Sequence, residues 1–212
     1  MQEDKEKTKE ENKQESKLKI LVAGDLHGDI SASKKLSEKA EKEKVDLVLL
    51  LGDIHVQQMS KGLISPFKKA NQKVLFVPGN WDTTLETKML QERYGLRNLD
   101  GYYTTYKDVD IIGVGTSDFR LSLDEKKTMD RLKKNFEKSK SRKKILISHL
   151  HPAKTKAEFS GFPGSKAVRK AVDYFHPDFV LSAHIHEAEG IEEKIGKTRV
   201  INVGKKGKII EI

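Results

Sequence analysis

LKILVAGDLHG, residues 18–28, carries an aliphatic run straight into a turn where Asp25 and His27 alternate with Gly24 and Gly28. A near-continuous aliphatic run of this length reads as a strand buried on both faces, as parallel strands under covering layers are. The pattern recurs in VDLVLLLGD (45–53), KVLFVPGN (73–80), VDIIGVGTSD (109–118), KKILISH (143–149), DFVLSAH (178–184), TRVINVG (198–204) and KIIEI (208–212). Polar, Lys- and Glu-rich stretches separate the runs, and helices are expected over 31–44, 60–70, 84–93, 123–140 and 164–175. In the first of these, Ile30, Leu36 and Ala40 supply a sparse apolar face. Alternating strands and helices predict an α/β core with parallel strands.

Two stretches depart from that alternation. Tyr102 to Ile112 sets aromatic and Thr residues before a Lys107-Asp108 turn, which predicts an antiparallel excursion. The final segment spaces Gly190, Gly196, Gly204 and Gly207 between short strand-like pieces, so a second, partly antiparallel sheet is expected on the C-terminal side.

The chain has 212 residues, which suits one domain, since domains run to roughly 100–200 residues. Residues 1–17 set five lysines against six acidic residues and cannot bury apolar area, so a disordered charged tail is expected there and a single domain over 18–212. With no cysteine, thiolate metal sites, Cys nucleophiles and thiol redox switches are excluded; the chemistry must use oxygen and imidazole. Lys+Arg outnumber Asp+Glu by 41 to 32, a net +9 that attracts phosphorylated or nucleic-acid partners, although Lys-rich surfaces also serve solubility. No apolar run approaches the roughly 20 residues that span a bilayer, and the first residues lack the apolar centre of a signal peptide. A soluble cytoplasmic protein without a membrane partner is expected.

The chemistry-bearing residues stand at the ends of the predicted strands. Asp25 and His27 follow the first, Asp53 the second, Asn80 the third, His149 the fifth, and His184 and His186 the sixth. Ligands of open α/β sheets collect outside the carboxyl ends of parallel strands, so these seven side chains are expected at one rim. Each alone has an ordinary reading, as a turn residue or a hydrogen-bonded histidine. The ordered set of four histidines, two aspartates and one asparagine does not.

Asp25-Leu26-His27, Gly52-Asp53, Gly79-Asn80, His149 and His184-Ile185-His186 together resemble the motifs of the calcineurin-like metallophosphoesterases, over Lys19 to about Gly204. Within that family, Gly164-Ser165, Ala167-Val168-Arg169, Pro177 and the His184–Ala188 stretch are most similar to the small stand-alone Icc-related branch. The resemblance implies a four-layer α/β/β/α sandwich of two mixed sheets flanked by helices. It also implies a metal-dependent phosphoesterase in which Asp25, His27 and His186 hold one divalent ion, Asn80, His149 and His184 a second, and Asp53 bridges them. Two such ions share a water, lower its pKa and clamp the attacking and leaving oxygens of an in-line displacement by the bridging hydroxide. Mixed imidazole, carboxylate and amide donors suit Mn, Fe, Zn, Co or Ni, with Mn the favoured choice.

Trp81 stands where many members carry a histidine that serves the leaving group, and an indole cannot transfer a proton near neutral pH. His55 or His151, each two residues after a proposed ligand, is expected to supply that proton, and His151 joins Asp53 and Asn80 as the expected catalytic residues. Ala183 replaces a usual glycine, which a negative φ tolerates. Asn202 of Asn202-Val203-Gly204 is expected to orient a ligand or touch substrate. Arg120 and Arg169 are candidate phosphate contacts, with surface ion pairs as the alternative, and Trp81 either stacks on a base or packs its loop. A phosphodiesterase acting on cyclic nucleotides or nucleic-acid ends is the leading expectation. A protein-binding scaffold of the same fold and a nucleic-acid-binding protein or nuclease are the alternatives.

Overall fold

In a computed structural model of the chain, which describes residues 17–55 and 62–212, each aliphatic run of the sequence forms a strand. The expected tail lies almost wholly outside the described residues. In chain order the first half gives β1 (Lys19–Ala23), α1 (Ile30–Lys42), β2 (Leu47–Leu51), α2 (Ser65–Lys69), β3 (Val74–Val77), α3 (Thr84–Tyr94) and β4 (Arg97–Asn98). The second half gives β5 (Tyr103–Tyr106), β6 (Val109–Val114), α4 (Glu125–Lys138), β7 (Lys143–Ser148), α5 (Lys166–Phe175), β8 (Phe179–Ser182), β9 (Glu192–Ile195), β10 (Thr198–Asn202) and β11 (Lys208–Glu211).

The strands form a five-stranded sheet, β11-β1-β2-β3-β4, and a six-stranded sheet, β5-β6-β7-β8-β10-β9. Parallel pairing runs from β1 through β4 in the first and from β6 through β8 to β10 in the second. Antiparallel strands β11, β5 and β9 border these cores, so both sheets are mixed. The Tyr102–Ile112 excursion is the β5–β6 hairpin as expected. The last segment divides instead: β9 and β10 join the second sheet, whereas β11 crosses to pair with β1 of the first.

Strand alternation builds four layers. Ile20, Val22, Leu49 and Leu51 face Ile111, Ile145, Ile147 and Leu181 in the core between the sheets. The neighbouring Leu21, Val48, Leu50 and Phe76 face outward onto Leu36 and Ala40 of α1, Phe67 of α2 and Leu90 of α3. On the far side Ile112, Leu146 and Val180 receive Leu132 and Phe136 of α4 and Val168 and Val172 of α5. Strands buried on both faces thus read as continuous aliphatic runs because each face meets a different layer. Ile30 does not join the expected helix face. It is 47% exposed because, as the first residue of α1, it precedes the turn that reaches the sheet.

Local chemistry sets the helix ends. Asp29 accepts the Ala32 amide to open α1, and Thr83 and Glu86 form a reciprocal capping box at α3, each satisfying N–H groups that lack intrahelical partners. Among the described residues no helix is long and apolar enough to cross a membrane.

Candidate metal centre

The carboxyl ends of β1, β2, β3, β7 and β8 meet at one rim and bring the seven expected side chains together. Asp25, His27 and His186 place one donor atom each within 4.8 Å of one another, and Asp53, His149 and His184 do the same. Asn80 joins the second group, its Oδ1 standing 2.9 Å from His149 Nε2. Asp53 Oδ2 lies between the groups, 3.4 Å from His149 Nε2 and 3.7 Å from His27 Nε2. In the first group, His27 Nε2 and His186 Nε2 are 3.1 Å apart and His186 Nε2 is 3.9 Å from Asp25 Oδ1.

Four of these residues hold left-handed backbone: Asp25 (φ 55°), His27 (45°), Asp53 (50°) and His184 (71°). Positive φ is uncommon outside glycine, and Asp and His are among the side chains that tolerate it best. Such backbone costs about 1–3 kcal/mol per residue and persists only where the surroundings impose it. Here Asp25 N–H donates to the Gly52 carbonyl at 3.0 Å, His27 N–H to that of Asp53 at 2.8 Å and Ala183 N–H to that of His149 at 3.0 Å. Glycines allow the close approach. A Cβ at Gly79 would stand 2.1 Å from Asp53 Oδ1, and one at Gly52 would stand 2.6 Å from His149 Nδ1. Ala183 is not among the positive-φ residues, consistent with its replacing glycine.

The donor set fits divalent ions on its own chemistry. Asp25 Oδ2 is buried without a hydrogen-bond partner, and carboxylate oxygens and imidazole nitrogens converge on two points. Asp53 Oδ1 takes the Trp81 N–H at 2.9 Å, which leaves Oδ2 to face both groups. Burial pushes the Asp25 carboxyl up to about 6, against the opposing charges of His149 and His186. Burial also works to lower the His149 imidazole, but the hydrogen bond and charge of Asp53 prevail and raise it to about 9. His184 is lowered to about 4 by burial and by the His149 charge. Without an ion, protonated His149 is therefore the cation that Asp53 pairs with.

Sequence reasoning passed over Asp82, the residue behind Trp81. It is fully buried; its Oδ1 accepts the Ile54 and His55 amides at 2.9 and 3.1 Å, and its Oδ2 accepts Gly79 N–H at 2.8 Å. One carboxyl thus ties the loop carrying Asp53 to the loop carrying Asn80. Its only sequence signal is its place in Gly79-Asn80-Trp81-Asp82. Asn202 touches no candidate ligand side chain directly; its Nδ2 donates at 3.0 Å to the Ile185 carbonyl, between the two histidines of the last motif. Arg169 takes the ion-pair alternative, reaching Asp173 at 3.0 Å and the Ala153 and Lys154 carbonyls. His55 and His151 are buried rather than open to the cleft, both 1% exposed; neither His151 ring nitrogen has a hydrogen-bond partner.

A family model described as calcineurin-like phosphoesterase matches residues 18–188. Among solved structures, TT1561 of Thermus thermophilus superposes with a TM-score of 0.71 at 20% identity, over 90% of this chain and 91% of that one. A dimetal phosphatase from Danio rerio gives 0.62 at 11% identity, over 89% of this chain and 88% of that one. A novel archaeal phosphodiesterase gives 0.51 at 17% identity, over 92% and 99%. These similarities show the shared fold. No curated protein sequence matches the chain.

Proposed function

Because the chain belongs to the calcineurin-like phosphoesterase family, we propose that it is a dinuclear metal-dependent phosphodiesterase, with residues 18–212 as one catalytic domain working in the cytoplasm. The observation that carries this reading is the position of Asp53 Oδ2, within 3.7 Å of a histidine from each donor group. Asp25, His27 and His186 would hold one ion, Asn80, His149 and His184 the other, and Asp53 both. When bound, two divalent ions supply a nucleophile at neutral pH and offset the charge that builds on a phosphoryl group. The mixed donors suit Mn first, with Fe, Zn, Co and Ni also matching.

The chain's own groups orient these donors. Leu51 fixes the His149 ring through Nδ1 at 2.7 Å, Asn202 fixes the His184–His186 loop, and Asp82 fixes the turns behind Asp53 and Asn80. His151 is our proton donor to the leaving group. Its ring is buried near Glu158 and Phe162. Diesters rank ahead of monoesters because the position beside Asn80 carries Trp81, a partner for a second ester substituent rather than for a dianion's extra charge. Cyclic nucleotides and nucleic-acid ends are the substrates that a basic chain would attract.

The test is hydrolysis of bis-p-nitrophenyl phosphate by Mn²⁺-loaded protein, with p-nitrophenyl phosphate alongside. Asp53→Asn should lose more than the ~10–100-fold that removal of a mere supporting residue costs. Equal rates in variant and parent would sink the dinuclear reading. Full metal occupancy with no turnover would favour a binding scaffold instead.

A further inference from the structure

Three aromatic side chains stand in solvent around the donor groups. Trp81 is 40% exposed, Phe119 56% and Phe162 51%. Trp81 meets His27 edge to face at 6.3 Å between ring centroids, and Phe119 meets Trp81 at 5.7 Å. Phe162 meets His184 in the same manner at 6.0 Å. Aromatic rings therefore flank the centre on two sides, one beside the Asp25–His27–His186 group and one beside the Asp53–His149–His184 group.

Phe119 is held there at a cost. It and Asp118 are consecutive residues in left-handed backbone, at φ 61° and 56°, a conformation that a bulky side chain rarely adopts. The surroundings impose it. Phe119 N–H donates to the Asn80 carbonyl at 2.7 Å and Asp118 N–H to the Asp82 carbonyl at 3.1 Å. The Asp118 carboxylate in turn accepts the Thr84 N–H at 2.8 Å and its hydroxyl at 2.6 Å. The loop is thus fastened to the Asn80 turn, yet the ring it presents gains little burial. Strain spent on exposing a large apolar ring beside a reactive centre points to a ligand that covers the ring.

The arrangement also selects the ligand's shape. The rings are rigid, separate and set among imidazoles, so they offer flat faces rather than the continuous apolar trough that an alkyl chain needs. Flat faces of this kind bind other planar rings by stacking, with little regard to the ring's identity.

We propose that Trp81 with Phe119 on one side, and Phe162 on the other, are stacking subsites for the bases of a nucleoside-bearing phosphodiester, one subsite for each ester substituent. This rests on the phosphodiesterase reading above and specifies its substrate class. It explains why the flanks are two: a diester carries a group on each side of phosphorus.

Trp81 is the chain's only tryptophan, so its fluorescence reports the first subsite without any turnover. Adenosine 5′-monophosphate added to Mn²⁺-loaded protein should quench it saturably, ribose 5-phosphate should not, and Phe119→Ala should weaken the adenosine response about tenfold. A kinetic arm compares thymidine 5′-p-nitrophenyl phosphate with methyl p-nitrophenyl phosphate, which share a leaving group. The preference for the nucleoside ester should fall about tenfold, through KM, in whichever of Phe119→Ala and Phe162→Ala removes the subsite that takes the thymine, since the p-nitrophenyl group on the other side is common to both esters. Phe119→Tyr, which keeps the ring, should restore it. Dithymidine monophosphate and a longer oligothymidylate, run beside these esters, separate a free dinucleotide from a nucleic-acid end as the source of the diester.

Equal fluorescence responses to the adenosine and ribose phosphates would overturn the proposal, as would a preference that none of the variants alters. Failure to hydrolyse either ester would count against the phosphodiesterase reading alone, because the fluorescence arm still decides the subsite.

Discussion

His149 donates its Nδ1 hydrogen to the carbonyl of Leu51 at 2.7 Å, across the seam between the two sheets. A carbonyl can only accept, so the opposite nitrogen, Nε2, is the one turned toward Asn80 Oδ1 and Asp53 Oδ2. Both of those are acceptors as well, so in the ion-free chain Nε2 also carries a proton, and the ring is an imidazolium held up to about 9. Metal binding must displace that proton. Calorimetry of Mn²⁺ binding at neutral pH, in buffers of different ionisation enthalpy, should show release of about one proton from this site. Heats that do not depend on the buffer would refute the assignment.

The same ring sets a pH dependence for the ion-free fold. Its folded-state value lies above the ordinary 6.5, so the contribution is complete below 6.5 and is lost as pH rises through about 9. Denaturant unfolding of chelator-treated protein should show that decline, and His149→Gln should flatten it.

Asp82 gives a prediction of opposite chemical character. Burial raises its carboxyl to about 7, although three backbone N–H groups favour the ionised form. The folded state therefore holds this proton more tightly than the unfolded chain, and stability falls as pH climbs from 3.8 through about 7. Asp82→Ala strands three buried donors at about 1–3 kcal/mol each and should be severely destabilised in urea. Asp82→Asn keeps an acceptor and loses the titration, so its stability should vary less over that pH interval than the parent's.

Asn202→Ala should leave the far-ultraviolet circular dichroism intact while weakening metal affinity by about 10–100-fold, because the Ile185 carbonyl between His184 and His186 loses its donor and the Ser182 hydroxyl loses a long acceptor contact of 3.4 Å. Unchanged affinity in a metal titration would confine Asn202 to packing.

Gly79→Ala tests the closeness of the two turns. The new methyl would lie 2.1 Å from Asp53 Oδ1 and 2.3 Å from Asp53 N, so the carboxylate has to move. Metal affinity should drop more than stability. A variant that binds metal like the parent would show that the turns yield freely.

Most of the architecture was readable because both faces of the central strands are buried and the aliphatic runs announce it. The edges were harder. β4 is two residues long, and in β9 only Ile195 of Glu-Glu-Lys-Ile is apolar, so neither has a run to read. The partner of β11 is a tertiary choice: Lys208–Glu211 has the same composition whether it pairs with the second sheet or with β1. The donors were legible because each follows a strand directly. Asp82 was not, since two of its three partners are amides from a turn 27 and 28 residues away, and no side-chain pattern marks a backbone donor. Phe119 was missed for a related reason, because its position follows from hydrogen bonds made by its own backbone and that of Asp118.

The first sheet supplies Asp25, His27, Asp53 and Asn80 to the rim, and the second supplies His149, His184 and His186. Neither donor group is complete on one sheet. An ion in either group would therefore act as a rivet across the sandwich, and its affinity would be shared with the cohesion of two layers whose core between them is apolar. Chelation should then do more than silence the enzyme: amide exchange should quicken along the rim ends of β1, β2, β7 and β8 while the opposite ends stay slow. Metal supply would set how firmly the molecule is clasped as well as whether it reacts.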